Sequence, residues 1–364
     1  MSRPRPKSRN ETTSQSSVGS VSDRRISWRT LGLGCVVGMI VGGMVATFWT
    51  LPVTPVTVKV KHEENVAVPV RNERDLHPAQ LVELSEEELG KIDVGLMNLL
   101  CAKGLPSEQP LSIDAGMAKL QEITATVHSE TARNLHRWTK RPQDYQNSKP
   151  YYLVGMMVTV LAQDFGIRYN PAKISAPSMA ELQDLSFYRN TDDVMLTGCL
   201  GTSHQGTCAS LPVLAVAVGR RLGYPMKLVC AKAHLFCRWD DGNTKLNFEY
   251  TNGVVTRPDE YYKNEPFPVT PFEEKKGWYL QSLTPRQELS IFLSLRGQVL
   301  AANQKTGESL VAHSLATLMW PGHRDQGVGL IQAAEARFEQ IGFYKLPEAT
   351  AKTTSASDPY FEVR

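Results

Sequence analysis

Between residues 206 and 251 the chain carries a cysteine, Cys208, then a histidine, His234, then a glutamate, Glu249. A thiol, an imidazole and a carboxylate are the parts of a nucleophile, a base that moves protons, and an acid that orients the base. Together they would perform acyl transfer through a thioester. Gln205 could turn a carboxamide N–H toward an oxyanion, although the plainer reading is an ordinary loop amide. Asn247 lies two residues before Glu249 and is a supporting candidate. Cysteine is among the residues most often buried, so packing is the competing account of Cys208. Cys230 and Cys237 fit that account, whereas Cys208 follows the polar His204, Gln205 and Thr207. Cys199, His204 and Cys208, or Cys230, His234 and Cys237, lack the close CxxC or HxxxH spacing of a zinc site, so neither metal nor other cofactor is expected.

The elements that must position these groups follow from the pattern around them. Leu211, Leu214, Ala215, Val218 and Leu222 share one helix face, and Val213, Val216 and Ala217 make much of the other side apolar. This predicts a core helix ended by Gly223. Pro212 is tolerated only in a first turn, which puts the helix start at Thr207 or Cys208. Unpaired N–H groups there would favour a thiolate and offer an oxyanion hole. "MKLVC", "HLFCRW" and "KLNFEY" read as strands, the last two joined by a hairpin centred on Asp241-Gly242. Asp240 then opposes Asn243 and His234 opposes Glu249, with Cβ atoms about 4.5–5.5 Å apart. A one-residue slip would send Glu249 to the other face of the sheet.

With those residues in view, "GTCASLPVLAVAVGRRLGYP", "KAHLFCRW" and "NFEYT" resemble the transglutaminase-like papain superfamily, most closely its SirB-type bacterial branch. The resemblance implies an α+β, papain/transglutaminase-like core with Cys208 as nucleophile, His234 as base and Glu249 as orienting acid. Transglutaminases usually carry Asp at the acid position; Glu lengthens the reach by one methylene. Helices before the core and tetratricopeptide-like hairpins after it also fit that branch.

The remainder of the 364 residues supplies context. Residues 31–49, "LGLGCVVGMIVGGMVATFW", are uncharged and match the roughly 20 residues that cross a bilayer. Seven Lys/Arg stand ahead of them, between Arg3 and Arg29, against Glu11 and Asp23. The positive-inside rule predicts an uncleaved signal anchor, with a cytoplasmic N-terminus and the main domain outside, in the inner (cell) membrane. Gly34, Gly38 and Gly42 share a helix face that would let two spans dimerise, although glycine is also common in membrane helices. A net charge of +3, concentrated at the N-terminus, gives no case for nucleic-acid binding.

The chain divides into a basic tail (1–28), the span (29–52), a Pro/Val-rich linker (53–79), a helical region (80–169), the core (170–277), helical hairpins (278–345) and a frayed end (346–364). Helix starts are expected at Ser85, with Glu88 closing a capping box, at Asp114, and at Thr284-Pro285. Residues 89–104 read as one helix, 151–166 as one apolar nearly all round, and 285–303, 306–319 and 325–340 as the last three. The expected function is a membrane-anchored thiol acyltransferase or hydrolase acting on a carboxamide or peptide bond of an unknown protein or peptide. The alternative is a catalytically silent protein-binding scaffold.

Overall fold

Helix ends leave backbone N–H groups without partners, and in this chain nearby side chains take them up. A computed structural model describes residues 72–173, 179–249 and 255–343. Ser85 and Glu88 form a reciprocal capping box at the start of α1 (Glu86–Lys91). Asp93 accepts from the N–H groups of Gly95 and Leu96 and caps α2 (Val94–Ala102). The single helix expected over 89–104 is therefore two. Ile92 is extended, and the Asp93 carboxylate offers the following N–H groups an acceptor that a continuous helix would not. Ser112 caps α3 (Ile113–Lys140), just ahead of the expected start at Asp114. In α4 (Lys149–Gln163) Tyr152, Val154, Met157, Val158, Val160 and Leu161 are buried while Thr159 and Ala162 are exposed, so the helix is sunk on one side rather than all round.

The helices combine with two small sheets, an α+β arrangement. Strands β1 (Arg168–Tyr169) and β2 (Gln205–Gly206) pair in parallel. Strands β3 (Met226–Ala231), β4 (His234–Asp240), β5 (Lys245–Glu249) and β6 (Val255–Thr256) form an antiparallel meander in chain order. The outer edge of β3 is covered by 280–283, whose Leu280 and Leu283 N–H groups donate to the Cys230 and Leu228 carbonyls. That removes an edge open to pairing with another chain.

Helix α5 (Leu211–Arg221) is buried from Leu211 to Gly219, as its apolar pattern predicts, and touches α2, α3 and α4 as well as β3 and β4. Its last turn is tied down on two sides. Arg221 Nε meets Asp93 Oδ2 at 2.7 Å, and Arg220 makes a two-pronged pair with the buried Glu288 at 2.5 and 2.9 Å.

Thr270 and Glu273 form a capping box at the short α6 (Pro271–Lys275), and Thr284 and Gln287 close another at the start of α7 (Pro285–Ala302). Helices α8 (Thr306–Met319) and α9 (Arg324–Gln340) follow, with ends within one residue of those read from the sequence. They approach closely around the buried His313. A Cβ built at Gly297 or Gly329 would lie 2.5 or 2.7 Å from its ring. One continuous apolar core runs from Leu76 to Trp320, through all three segments the sequence separates. No helix of the described residues is long and apolar enough to cross a membrane. The expected span at 29–52, with Gly34, Gly38 and Gly42, lies outside them.

Candidate active site

The turn that carries Cys208 is built before the helix begins. The Thr207 carbonyl accepts from the Ser210 and Leu211 N–H groups, its Oγ1 accepts from the Ala209 N–H, and its own N–H donates to Ser210 Oγ. Thr207 thus acts as a cap with Ser210 answering it, although regular helix starts only at Leu211. The expected start at Thr207 or Cys208 is displaced because these side-chain bonds hold 207–210 as a separate turn. The Thr207 and Ser210 hydroxyls both donate to the Asp193 carbonyl, at 2.7 and 3.1 Å, which anchors the turn from below. At Gly206 a Cβ would fall 2.5 Å from Cys199 Sγ and 2.6 Å from Ser210 Oγ, so only glycine lets the chain enter here. Cys208 is left half-buried at the rim.

His234 opens β4 after a two-residue turn, Lys232–Ala233, set by the pairing of Ala231 with His234. Ala233 takes the left-handed conformation at φ +56°. Lys232 is buried; its Nζ donates to the Pro268 carbonyl at 2.7 Å and pairs with Glu273 at 2.9 Å. Glu273 also meets Arg324 at 3.2 Å, so α6 and the first turn of α9 both hold the turn that presents the histidine.

The route by which Glu249 reaches His234 differs from the one read in the sequence. Asp240 pairs with Lys245, Arg238 with Asn247 and Cys237 with Phe248. The loop is four residues, 241–244, not two, because Asp241 Oδ1 captures the Asn243 and Thr244 N–H groups at 2.9 and 2.7 Å. The register therefore moves by two residues, and Glu249 stands level with Phe236. A two-residue shift preserves the face, and a glutamate is long enough to reach the diagonal neighbour. His234 Nε2 and Glu249 Oε1 are 2.8 Å apart.

The Cys208 side chain is the imidazole's other neighbour and acts on its protonation alongside Glu249. Burial alone would lower the imidazole's pKa, but the hydrogen bonds to Cys208 and Glu249 and their charges outweigh it and raise it to about 10. Both partners thus favour the protonated ring. Tyr262 lies nearly parallel to it, with centroids 6.0 Å apart, and stacks on Phe236 at 3.9 Å. These rings fix the imidazole plane. The Tyr262 hydroxyl, raised in pKa by burial and by the Glu249 charge, makes no well-aligned hydrogen bond among the described residues.

The other two candidates stand apart. Gln205 pairs through its backbone with Arg168 in β2 and makes no side-chain hydrogen bond among the described residues. Asn247 is recruited elsewhere: its Oδ1 accepts from Arg238 Nε at 2.6 Å, and its Nδ2 donates to Asp259 and to the Arg257 carbonyl. A residue the pattern missed is Tyr169, whose hydroxyl accepts the Cys208 N–H at 3.2 Å. Its only sequence signal is the pair Arg168-Tyr169 between Ile167 and Asn170, too short to read as a strand.

Beside Cys208 and His234 opens a cavity of about 160 Å³ between the Lys232–Ala233 turn, α7 and α9. Its walls are mainly apolar, including Ala209, Phe267, Ile291 and Leu295, with the carboxamides of Gln298 and Gln332 among them. Among the described residues no group of three or more His, Cys, Asp or Glu could hold a metal ion. No family model matches the chain, and no curated protein or solved structure does either.

Proposed function

We propose that this protein is a cysteine-dependent acyltransferase or hydrolase of the transglutaminase-like papain superfamily, nearest the SirB-type branch, acting on a carboxamide or peptide bond. The observation that carries the proposal is His234, 2.8 Å from Glu249 and influenced on its other side by the Cys208 side chain. The Cys208 thiolate adds to the substrate carbonyl, and the imidazolium protonates the departing nitrogen as the tetrahedral adduct collapses to a thioester. The imidazole, now neutral, takes a proton from water or an amine as that second nucleophile adds. Collapse returns the electron pair to sulfur and releases an acid or a new amide. Glu249 keeps the Nε2–H oriented and balances the imidazolium charge throughout. The cavity beside Cys208 is sized for a side chain of the substrate peptide. We further propose that residues 31–49 anchor the enzyme in the cell membrane with this core on the extracytoplasmic side, and that α7–α9 are its tetratricopeptide-like part.

The test is which cysteine reacts. Burial pushes Cys101 and Cys199 up to about 12, and Cys230 and Cys237 higher still, so these four stay as thiols at neutral pH. Brief iodoacetamide treatment of the folded protein near pH 6, followed by mass-spectrometric mapping, is expected to find label at Cys208 and not at these four. An inert Cys208, or label equally at Cys230, would instead favour a catalytically silent binding scaffold.

A further inference from the structure

We propose that the phenol of Tyr169 donates the hydrogen bond that receives the oxyanion formed when Cys208 attacks its substrate; this rests on the Cys208–His234–Glu249 reading. Tyr169 ends β1, and its pairing with Gly206 brings a side chain 39 positions away in sequence to the nucleophile turn. The ring is buried, at 8% exposed, and its oxygen accepts the Cys208 N–H at 3.2 Å. That N–H is the backbone donor a nucleophile at a helix entry would otherwise aim at the oxyanion. Here it is engaged by a phenol, which still has its own proton to give. The phenol also lies within interaction range of the Cys208 side chain.

Burial, and then the negative charge of Cys208, keep the phenol's pKa far above neutral, so it remains a donor. The result is a chain, N–H to Oη and O–H onward, in which each bond polarises the next. When the S–C bond forms, a sulfur lone pair becomes the bond and the carbonyl π pair moves to oxygen. The negative charge shifts from Sγ to the carbonyl oxygen, and the Tyr169 hydrogen bond follows it without transferring a proton. Tyr169 is not part of the cavity wall. The carbonyl oxygen accordingly turns away from the cavity that takes the side chain.

Two reactions of the full-length protein separate this role from a general effect on the thiol. Acylation by p-nitrophenyl acetate passes through an oxyanion, and its leaving group needs no proton; alkylation by iodoacetamide forms no oxyanion. Tyr169→Phe is expected to slow the Cys208-dependent burst of p-nitrophenolate by about 100-fold. The plateau rate of alkylation should change by only a small factor. A burst as fast as wild type, or faster because the phenol merely obstructs the sulfur, would overturn the proposal. So would equal loss in both reactions. If Tyr169→Phe folds poorly, fluorotyrosines at 169 serve instead: the acylation rate should change with phenol acidity while alkylation stays flat, and no such trend would count against the role. A wild-type protein with no Cys208-dependent burst would sink the triad reading itself, and this proposal with it.

Discussion

His234→Ala is expected to slow acylation of Cys208 by roughly 10³-fold at neutral pH, and Cys208→Ala to abolish it. The size of the first effect follows from the pairing. His234 supplies both the positive charge beside the sulfur and the proton for a nitrogen leaving group, and the neighbouring Tyr169 phenol, which accepts the Cys208 N–H, cannot act as a base while its proton is held by burial. With an amide substrate the loss should be larger than with an activated ester, whose leaving group departs unprotonated. The check is a burst rate with each substrate class, alongside a melting curve, because the ring also packs against Phe236 and Tyr262. A His234→Ala variant that stays folded and hydrolyses amides within a few-fold of wild type would remove His234 from the mechanism.

Arg238→Met is expected to cost about 3 kcal/mol of stability, the low end for breaking a buried ion pair. Arg238 is 2% exposed on β4 and makes three charge-assisted bonds: to Asn247 Oδ1 at 2.6 Å, to the Leu280 carbonyl at 3.0 Å and to Asp259 Oδ1 at 2.6 Å. Methionine fills much of the volume but leaves the Asn247 and Leu280 oxygens without donors. The Asp259 side chain is 39% exposed, so water recovers part of its loss. Urea unfolding should show a lower midpoint at an unchanged slope. A shift below about 0.5 kcal/mol, the size expected of an ordinary surface change, would mean that the cluster is not holding β4, β5 and the segment before α7 together.

Much of this was legible because it is local. The Ser85–Glu88 and Thr284–Gln287 boxes need only residues three apart, and the buried stripe of α5 needs only its own period. The hairpin loop was not, because its length depends on what one side chain does: Asp241 takes two N–H groups that a two-residue turn would have left to other partners. The pairing of His234 with Glu249 survives that error only because the shift is even. Asn247 lies on the expected strand, yet its role is decided by Arg238 on the neighbouring strand. Tyr169 depends on a two-residue parallel pairing across a long sequence separation, which no periodicity announces.

The central claim is that His234 is an imidazolium stabilised by Cys208 and Glu249, and its titration tests this most directly. The raised pKa has a stability consequence whose sign is fixed: the contribution is fully present below about pH 6.5 and is lost as pH climbs through about 10. Nitrogen-15 NMR of the His234 ring, assigned by comparison with His234→Ala, should show both nitrogens protonated from pH 6 to 8 in the wild-type protein. In the Cys208→Ala, Glu249→Gln double variant, burial acts unopposed, and the same ring should be neutral over that range. A wild-type His234 that titrates at or below 6.5, or that is unmoved by loss of both partners, would contradict the account.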